Sequence, residues 1–169
     1  MHKTARRLMH TMIGRYALPR LPQGGRVLDV GSLMTDAESL DHRSLFPPGW
    51  EFLGLDARPG PGVDVVADIT QWRPDRSFDV VVSGQMLEHC QAPWSAIAAM
   101  ARCVPWGGVV LLTAPFMWHL HEHPADYWRF TGDGLAQLCN HAGLSVMDCG
   151  QAQIKANHAD AWCAAEKLT

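Results

Sequence analysis

Residues 26–31 read Arg-Val-Leu-Asp-Val-Gly, a short apolar run interrupted by one acid and closed by a glycine. A run of this length bounded by glycine reads as a buried strand entering a tight turn. Thr35 and Glu38 follow at capping-box spacing, which predicts a short helix that stops before Pro47-Pro48. Strand, turn and helix in that order make the first unit of an alternating fold.

The same rhythm returns four times, at 52–56, 63–68, 78–83 and 109–114. Each run is apolar, β-branched and ended by a polar or small residue, as expected of inner strands of a parallel sheet buried on both faces. Between the fourth and fifth strands, Pro93 suits a first helical turn, and Trp94, Ile97, Ala98 and Met100 carry the helix to Cys103. Thr131 caps a further helix bearing Leu135, Leu138 and Cys139, which Gly143 ends. Residues 144–149 and 159–165 are the last candidate strands. Upstream, Leu8, Met9, Met12, Ile13 and Tyr16 recur at three-to-four spacing, so residues 4–17 form a helix, ended by Pro19 and Pro22. The whole predicts an α/β fold with a ligand crevice at the carboxyl ends of the strands.

Composition narrows the partners. A chain of 169 residues has room for one domain, at roughly 100 to 200 residues each. Its 47% hydrophobic content and 18% charged residues exclude a disordered chain. The net charge of −3 disfavours nucleic acid. Lys3, Arg6, Arg7, Arg15, Arg20 and Arg26 nevertheless all precede the first acid, Asp29, and give that stretch a local attraction for an anion. The cysteines at 90, 103, 139, 149 and 163 are odd in number and form no two-residue-spaced pair, so neither a disulfide framework nor a zinc ribbon is expected. A reducing cytoplasm is the expected setting. No segment approaches the ~20 apolar residues of a membrane span, and no signal-peptide core is evident.

If the crevice rule holds, function lies at the strand exits: Asp29 to Ser32, Asp56, Asp68, Ser83 to His89 and Pro115 to His123. Asp56 is placed to accept hydrogen bonds from both hydroxyls of a ribose, or else it forms a turn. Asp68 could accept from an adenine amine or cap a helix or turn. A dinucleotide site would need three glycines in the first turn, yet Gly31 is followed by Ser32, Leu33 and Met34. Asp56 also lies 25 residues after Gly31, against about 20 in that fingerprint. A monoadenosine ligand fits better.

The stretches VLDVGS (27–32), FLGLDARPGPGVDVVADI (52–69), SFDVVVSGQMLEHC (77–90), VPWGGVVLLTAPF (104–116) and HEHPADYWRFT (121–131) resemble the small class I S-adenosylmethionine-dependent methyltransferases. The resemblance runs from about Arg26 to Gly143 and is nearest to the branch with Leu-Glu-His after the fourth strand and Asp-Tyr-Trp-Arg-Phe-Thr after the fifth. It implies a Rossmann-like three-layer sandwich with a mostly parallel, seven-stranded or slightly truncated sheet. Residues 25–169 would form the S-adenosylmethionine domain, with the helix of residues 1–24 over the cofactor site. It implies that Asp29, Gly31 and Ser32 belong to the first cofactor motif, that Asp56 and Ala57 meet the ribose, and that Asp68 and Ile69 frame the adenine. Gly84 and Gln85 would line the mouth through which the methyl passes. The sequence departs from the family in its glycine-poor first loop and in Pro105-Trp106-Gly107-Gly108, where a lysine and proline usually precede paired glycines. It also leaves little room for an inserted substrate cap.

Methyl transfer from a sulfonium is an in-line displacement, so the protein aligns the groups and excludes water. A hydroxyl acceptor must lose a proton, for which a histidine is suited. His89 is the first candidate, or else a structural histidine bonded to backbone. Glu88 orients substrate or cofactor, or caps a turn. His119, His121 and His123 alternate, so in an extended segment they share a side, with Glu122 opposite and Asp126 close by. Without a cysteine pair or distant ligand motif this is a weak zinc pattern, and no metal is expected. His121 joins the proton-handling set instead, while His119, His123, Tyr127, Trp128 and Arg129 face the acceptor, offering stacking area and one cation. The bland alternative has Trp128 and Phe130 in the core and Arg129 paired with an acid. The expected activity is methylation of a hydroxyl or amine on a small-molecule or sugar-like acceptor, by a monomer or homodimer. Two other classes compete: a cofactor-binding accessory protein without catalysis, and an RNA or DNA methyltransferase.

Overall fold

Val27, Leu28, Asp29 and Val30 are all buried, because strand β1 (Arg26–Val30) lies in the middle of a sheet with a strand on either side. The computed structural model describes residues 3–35, 41–121, 125–155 and 157–168. Its other strands are β2 (Glu51–Asp56), β3 (Val65–Val66), β4 (Val80–Gly84), β5 (Val109–Met117), β6 (Ser145–Lys155) and β7 (His158–Glu166). The seven form one sheet in the order β3-β2-β1-β4-β5-β7-β6. β1 to β5 run parallel, and β7 inserts antiparallel between β5 and β6.

Period-two alternation along these strands divides the core into two layers. Val27, Val80, Val82, Val109 and Leu111 pack with Met9, Met12 and Ile13 of helix α1 (Lys3–Met12) and the π-helical turn Ile13–Ala17 that prolongs it. Leu28, Val81, Val110 and Leu112 point the other way, onto α2 (Pro93–Cys103) and α3 (Gly132–His141) through Ile97, Met100, Leu135 and Cys139. This is the three-layer α/β sandwich expected. The end of the first helix is tied to the β6–β7 hairpin by Tyr16, whose hydroxyl donates to Asp148 at 2.6 Å, and by the Arg20–Glu166 ion pair at 3.0 Å. No helix among the described residues is long and apolar enough to cross a membrane.

α2 begins at Pro93 and ends at Cys103 as the sequence pattern requires, and Thr131 accepts the Gly134 N–H at 2.9 Å to cap α3. Two expectations need correction. The run at 63–68 is not an inner strand: only Val65–Val66 pairs, at the sheet edge, and Val66 is 55% exposed. Asp64 turns inward there to accept the Gly54 N–H at 2.7 Å, which ends the ladder early. The helix expected from Thr35 is described only at its far end, as the 3₁₀ turn His42–Leu45, where Asp41 accepts the Arg43 N–H at 2.8 Å. Glu38 lies outside the described residues.

Candidate active site

After β1 the chain folds across the end of β2. The N–H groups of Gly31 and Ser32 both donate to the Leu55 carbonyl, at 2.8 and 3.2 Å, and the Met34 N–H donates to Pro61 at 3.0 Å. Asp56, at the exit of β2, accepts the Leu33 N–H at 3.3 Å on one oxygen and the Arg58 N–H at 2.9 Å on the other. Each oxygen keeps a second lone pair. The bulky first loop fits because its neighbours are glycines: a Cβ on Gly60 would strike Leu33, and one on Gly62 would lie 2.6 Å from the Ser32 carbonyl oxygen. Asp29 is buried and lies 2.9 Å from Nδ1 of buried His42.

At the exit of β4, Gln85 takes a left-handed backbone conformation (φ 56°), which is uncommon for a residue with a side chain. Its N–H donates to the Thr113 carbonyl at 2.9 Å, and its buried Nε2 has no hydrogen-bond partner among the described residues. Backbone strain of this kind concentrates at functional sites. The next side chain, Met86, lies over Gly31 (φ +85°).

The 3₁₀ turn Leu87–His89 then presents two ionisable groups together. Glu88 is fully buried, and neither carboxylate oxygen has a hydrogen-bond partner among the described residues. Burial pushes its carboxyl up to about 8. His89 Nδ1 lies 2.6 Å from the Ala125 carbonyl, which can only accept, so Nδ1 carries the hydrogen and Nε2 turns to Glu88 Oε1 at 3.7 Å. His121 reaches the same place from the loop after β5, its ring centroid 5.2 Å from that of His89. Its Nδ1 lies 3.3 Å from Asp126 Oδ2, and its backbone N–H donates to the same oxygen at 2.9 Å. Asp126 is gripped by both terminal nitrogens of Arg129, at 2.5 and 2.7 Å, and these hydrogen bonds hold its carboxyl well below the usual range.

A profile of the methyltransferase domain family matches residues 1–148. The chain belongs to that family. No curated protein sequence matches it. Among solved structures it is similar to the 1,6-didemethyltoxoflavin N1-methyltransferase of Burkholderia thailandensis, bound to 1,6-didemethyltoxoflavin and S-adenosylhomocysteine. That likeness has a TM-score of 0.77 at 17% identity, over 99% of this chain and 80% of that one. The N-methyltransferase NodS of Bradyrhizobium japonicum, in complex with S-adenosylhomocysteine, gives 0.66 at 13% identity over 98% and 88%. The [4+2]-cyclase SpnF gives 0.72 at 17% identity over 97% and 82%, so the fold alone does not dictate the reaction.

In this methyltransferase the expected cofactor residues divide into two groups. Gly31, Ser32, Asp56, Ala57, Gly84 and Gln85 stand at the adjoining exits of β1, β2 and β4. The unpartnered Gln85 donor and the spare lone pairs of Asp56 fit an adenosine-bearing cofactor. Asp68 is exposed and turns on itself, accepting from the Thr70 N–H and hydroxyl at 2.8 Å each, while Ile69 packs into the core. Asp29 is engaged by His42.

The expected acceptor residues also divide. Tyr127 and Trp128 are exposed at the rim of the cluster; the Tyr127 N–H donates to the Glu88 carbonyl at 2.7 Å, and Trp128 Nε1 donates to the Cys90 carbonyl at 2.8 Å. Trp128 is therefore no core residue, whereas Phe130 is. Arg129 is bound by Asp126 and by the carbonyls of Trp118, His119 and Trp128, an acid pair like the one weighed as its alternative. The histidines do not share one strand face, because β5 ends at Met117. His119 is exposed beside Trp118 and His158, at 5.3 and 6.0 Å between rings, and His121 is half-buried. His123 lies outside the described residues.

Sequence reasoning missed Met86, His42 and Asp160. Asp160 is fully buried in β7 and adds to the upward push on Glu88. A lone acid in an otherwise apolar strand was the available signal, since a buried carboxylate is costly without a purpose. The cavity lined by Trp72, Arg73, Arg76 and Arg102 shares no residue with this cluster.

Proposed function

We propose that this chain transfers a methyl group from S-adenosylmethionine to a hydroxyl or amine of a small-molecule or sugar-like acceptor. The observation that carries the reading is the convergence of Glu88, His89 and His121 directly after the strained Gln85, beside the β2 exit that bears Asp56. When bound, the cofactor supplies an electrophilic methyl on a sulfonium. Asp56 accepts from the ribose hydroxyls, with Ala57 beside it, and Asp68 and Ile69 flank the adenine. Gly84 and Gln85 line the path of the methyl, Gln85 through its Nε2 donor. The acceptor enters past Tyr127 and Trp128, whose exposed rings offer stacking area. Its proton leaves through the Glu88–His89–His121 cluster.

A small acceptor is favoured over nucleic acid because Arg15, Arg20 and Arg26 are already paired, with Asp148, Glu166 and Asp79. The Burkholderia thailandensis neighbour holds a small-molecule acceptor. A cytoplasmic setting agrees with the cysteines, which are all unbridged. The packing of Met86 onto Gly31 favours a second reading, an accessory protein that binds cofactor without catalysing.

Calorimetric titration of the chain with S-adenosylmethionine and S-adenosylhomocysteine, beside NAD, tests the first step. Binding of the first two alone supports the reading and is followed by acceptor screening with labelled methyl donor. Absence of binding overturns it. Binding without transfer to any acceptor favours the accessory role.

A further inference from the structure

We infer that Glu88, His89 and His121 form a binding site for a divalent first-row transition-metal ion, which holds the oxygen of an acceptor hydroxyl for methylation. The site itself stands independently, and its part in catalysis rests on the methyl-transfer reading above.

One donor atom from each of the three residues lies within 4.8 Å of the other two, a spacing that small side-chain movements close around a single ion. Glu88 supplies the second, independent observation. Its carboxylate is fully buried, aimed into the cluster and without a hydrogen-bond partner among the described residues. Buried carboxylates are normally paired or coordinate a metal.

Both imidazoles are oriented as ligands. His89 donates Nδ1–H to the Ala125 carbonyl, which directs Nε2 to Glu88. His121 sets Nδ1 against Asp126 Oδ2, and Asp126 is fixed in turn by Arg129. A carboxylate or carbonyl behind each ligating histidine is the arrangement that fixes tautomer and ring angle in metal sites. Two imidazoles and one carboxylate suit zinc, manganese, iron or cobalt, and three protein ligands leave positions open for water or substrate.

The open positions give the ion a task that favours oxygen over nitrogen acceptors. A hydroxyl bound to the ion releases its proton to solvent more readily. The oxygen lone pair then bonds to the methyl carbon as the carbon–sulfur bond breaks, and that electron pair returns to sulfur. The sulfonium leaves as a neutral thioether, and its positive charge is balanced by the released proton.

The test uses the full chain, stripped of metal with a chelator and titrated with Zn²⁺ by calorimetry and with Co²⁺ by visible absorption, each with and without S-adenosylhomocysteine. One equivalent of ion is expected. Glu88→Gln and His121→Asn should each weaken uptake by roughly 100-fold or more, beyond what loss of an outer partner does. His141→Ala, remote on α3, should leave uptake unchanged. Thermal melts check that each variant folds, and the partly exposed His121 position covers the case in which Glu88→Gln does not. Acetohydroxamate, an oxygen chelator, should shift the Co²⁺ spectrum through the open positions.

No stoichiometric uptake, or uptake that survives both variants, overturns the site. An unshifted spectrum overturns its catalytic part. Metal uptake without S-adenosylhomocysteine binding sinks methyl transfer and leaves the metal site standing, whereas the reverse sinks the metal site alone.

Discussion

Met86 stands where a side chain on Gly31 would have to go: a Cβ there would lie 2.5 Å from Met86 Cγ and 2.6 Å from its Cβ. The exits of β1 and β4 are thereby in direct contact, and the left-handed φ of +85° at Gly31 reinforces the demand for glycine.

Gly31→Ala therefore carries both backbone strain and overlap. Together they should cost roughly 1–3 kcal/mol of stability. Chemical denaturation measures this, and calorimetry should show weaker S-adenosylhomocysteine binding, because Met86 must move toward the cofactor side. A variant as stable as the parent would mean that Met86 is free to swing away.

Asp56→Ala removes the acceptor for two backbone N–H groups and for the ribose hydroxyls. Hydrogen bonds to a charged acceptor are worth about 1.5–3 kcal/mol, so the dissociation constant should rise roughly 10- to 100-fold. Unchanged affinity in a calorimetric titration would remove Asp56 from the cofactor site.

His89→Ala should lower kcat far more than it changes cofactor affinity, since the ring faces Glu88 and not the β2 exit. Single-turnover methyl transfer, read beside binding, separates the two effects. Equal losses in both would make His89 a structural residue bonded to Ala125.

Asp126→Asn breaks a two-pronged ion pair whose carboxylate is almost wholly buried. The loss should be about 2 kcal/mol, typical of a hydrogen bond to a charged group. Arg129→Lys should recover little of it, because an ammonium cannot reproduce the paired geometry. Urea melts that place both variants within experimental error of the parent would show the loop after β5 to be held by other contacts.

Much of the sheet was legible because strands buried on both faces must be continuous apolar runs, and β1, β4 and β5 are. β3 was misread for the same reason in reverse: an edge strand needs no such run, so Val63 to Asp68 carried the pattern without the pairing. The insertion of β7 between β5 and β6 is decided by packing across the whole chain, and no local pattern announces it. In the site, Glu88 and His89 were legible as neighbours on one turn. His121 joined them, but His119 did not, because the alternation assumed an extended segment that ends at Met117. The pairings of Asp29 with His42 and of Gly31 with Met86 link segments far apart in sequence, which periodicity cannot connect.

The crossing of Ser32, Leu33 and Met34 over Gly54, Gly60 and Gly62 means that small and large residues have changed places between two neighbouring loops. The two loops are thus one unit of inheritance. An engineer who grafts a glycine-rich first loop onto this scaffold would open a void above the β2–β3 connection, and one who replaces that connection alone would evict Leu33. Only the paired exchange preserves the floor on which Asp56 stands, so substitutions at 32–34 and at 54–62 should arise together or not at all.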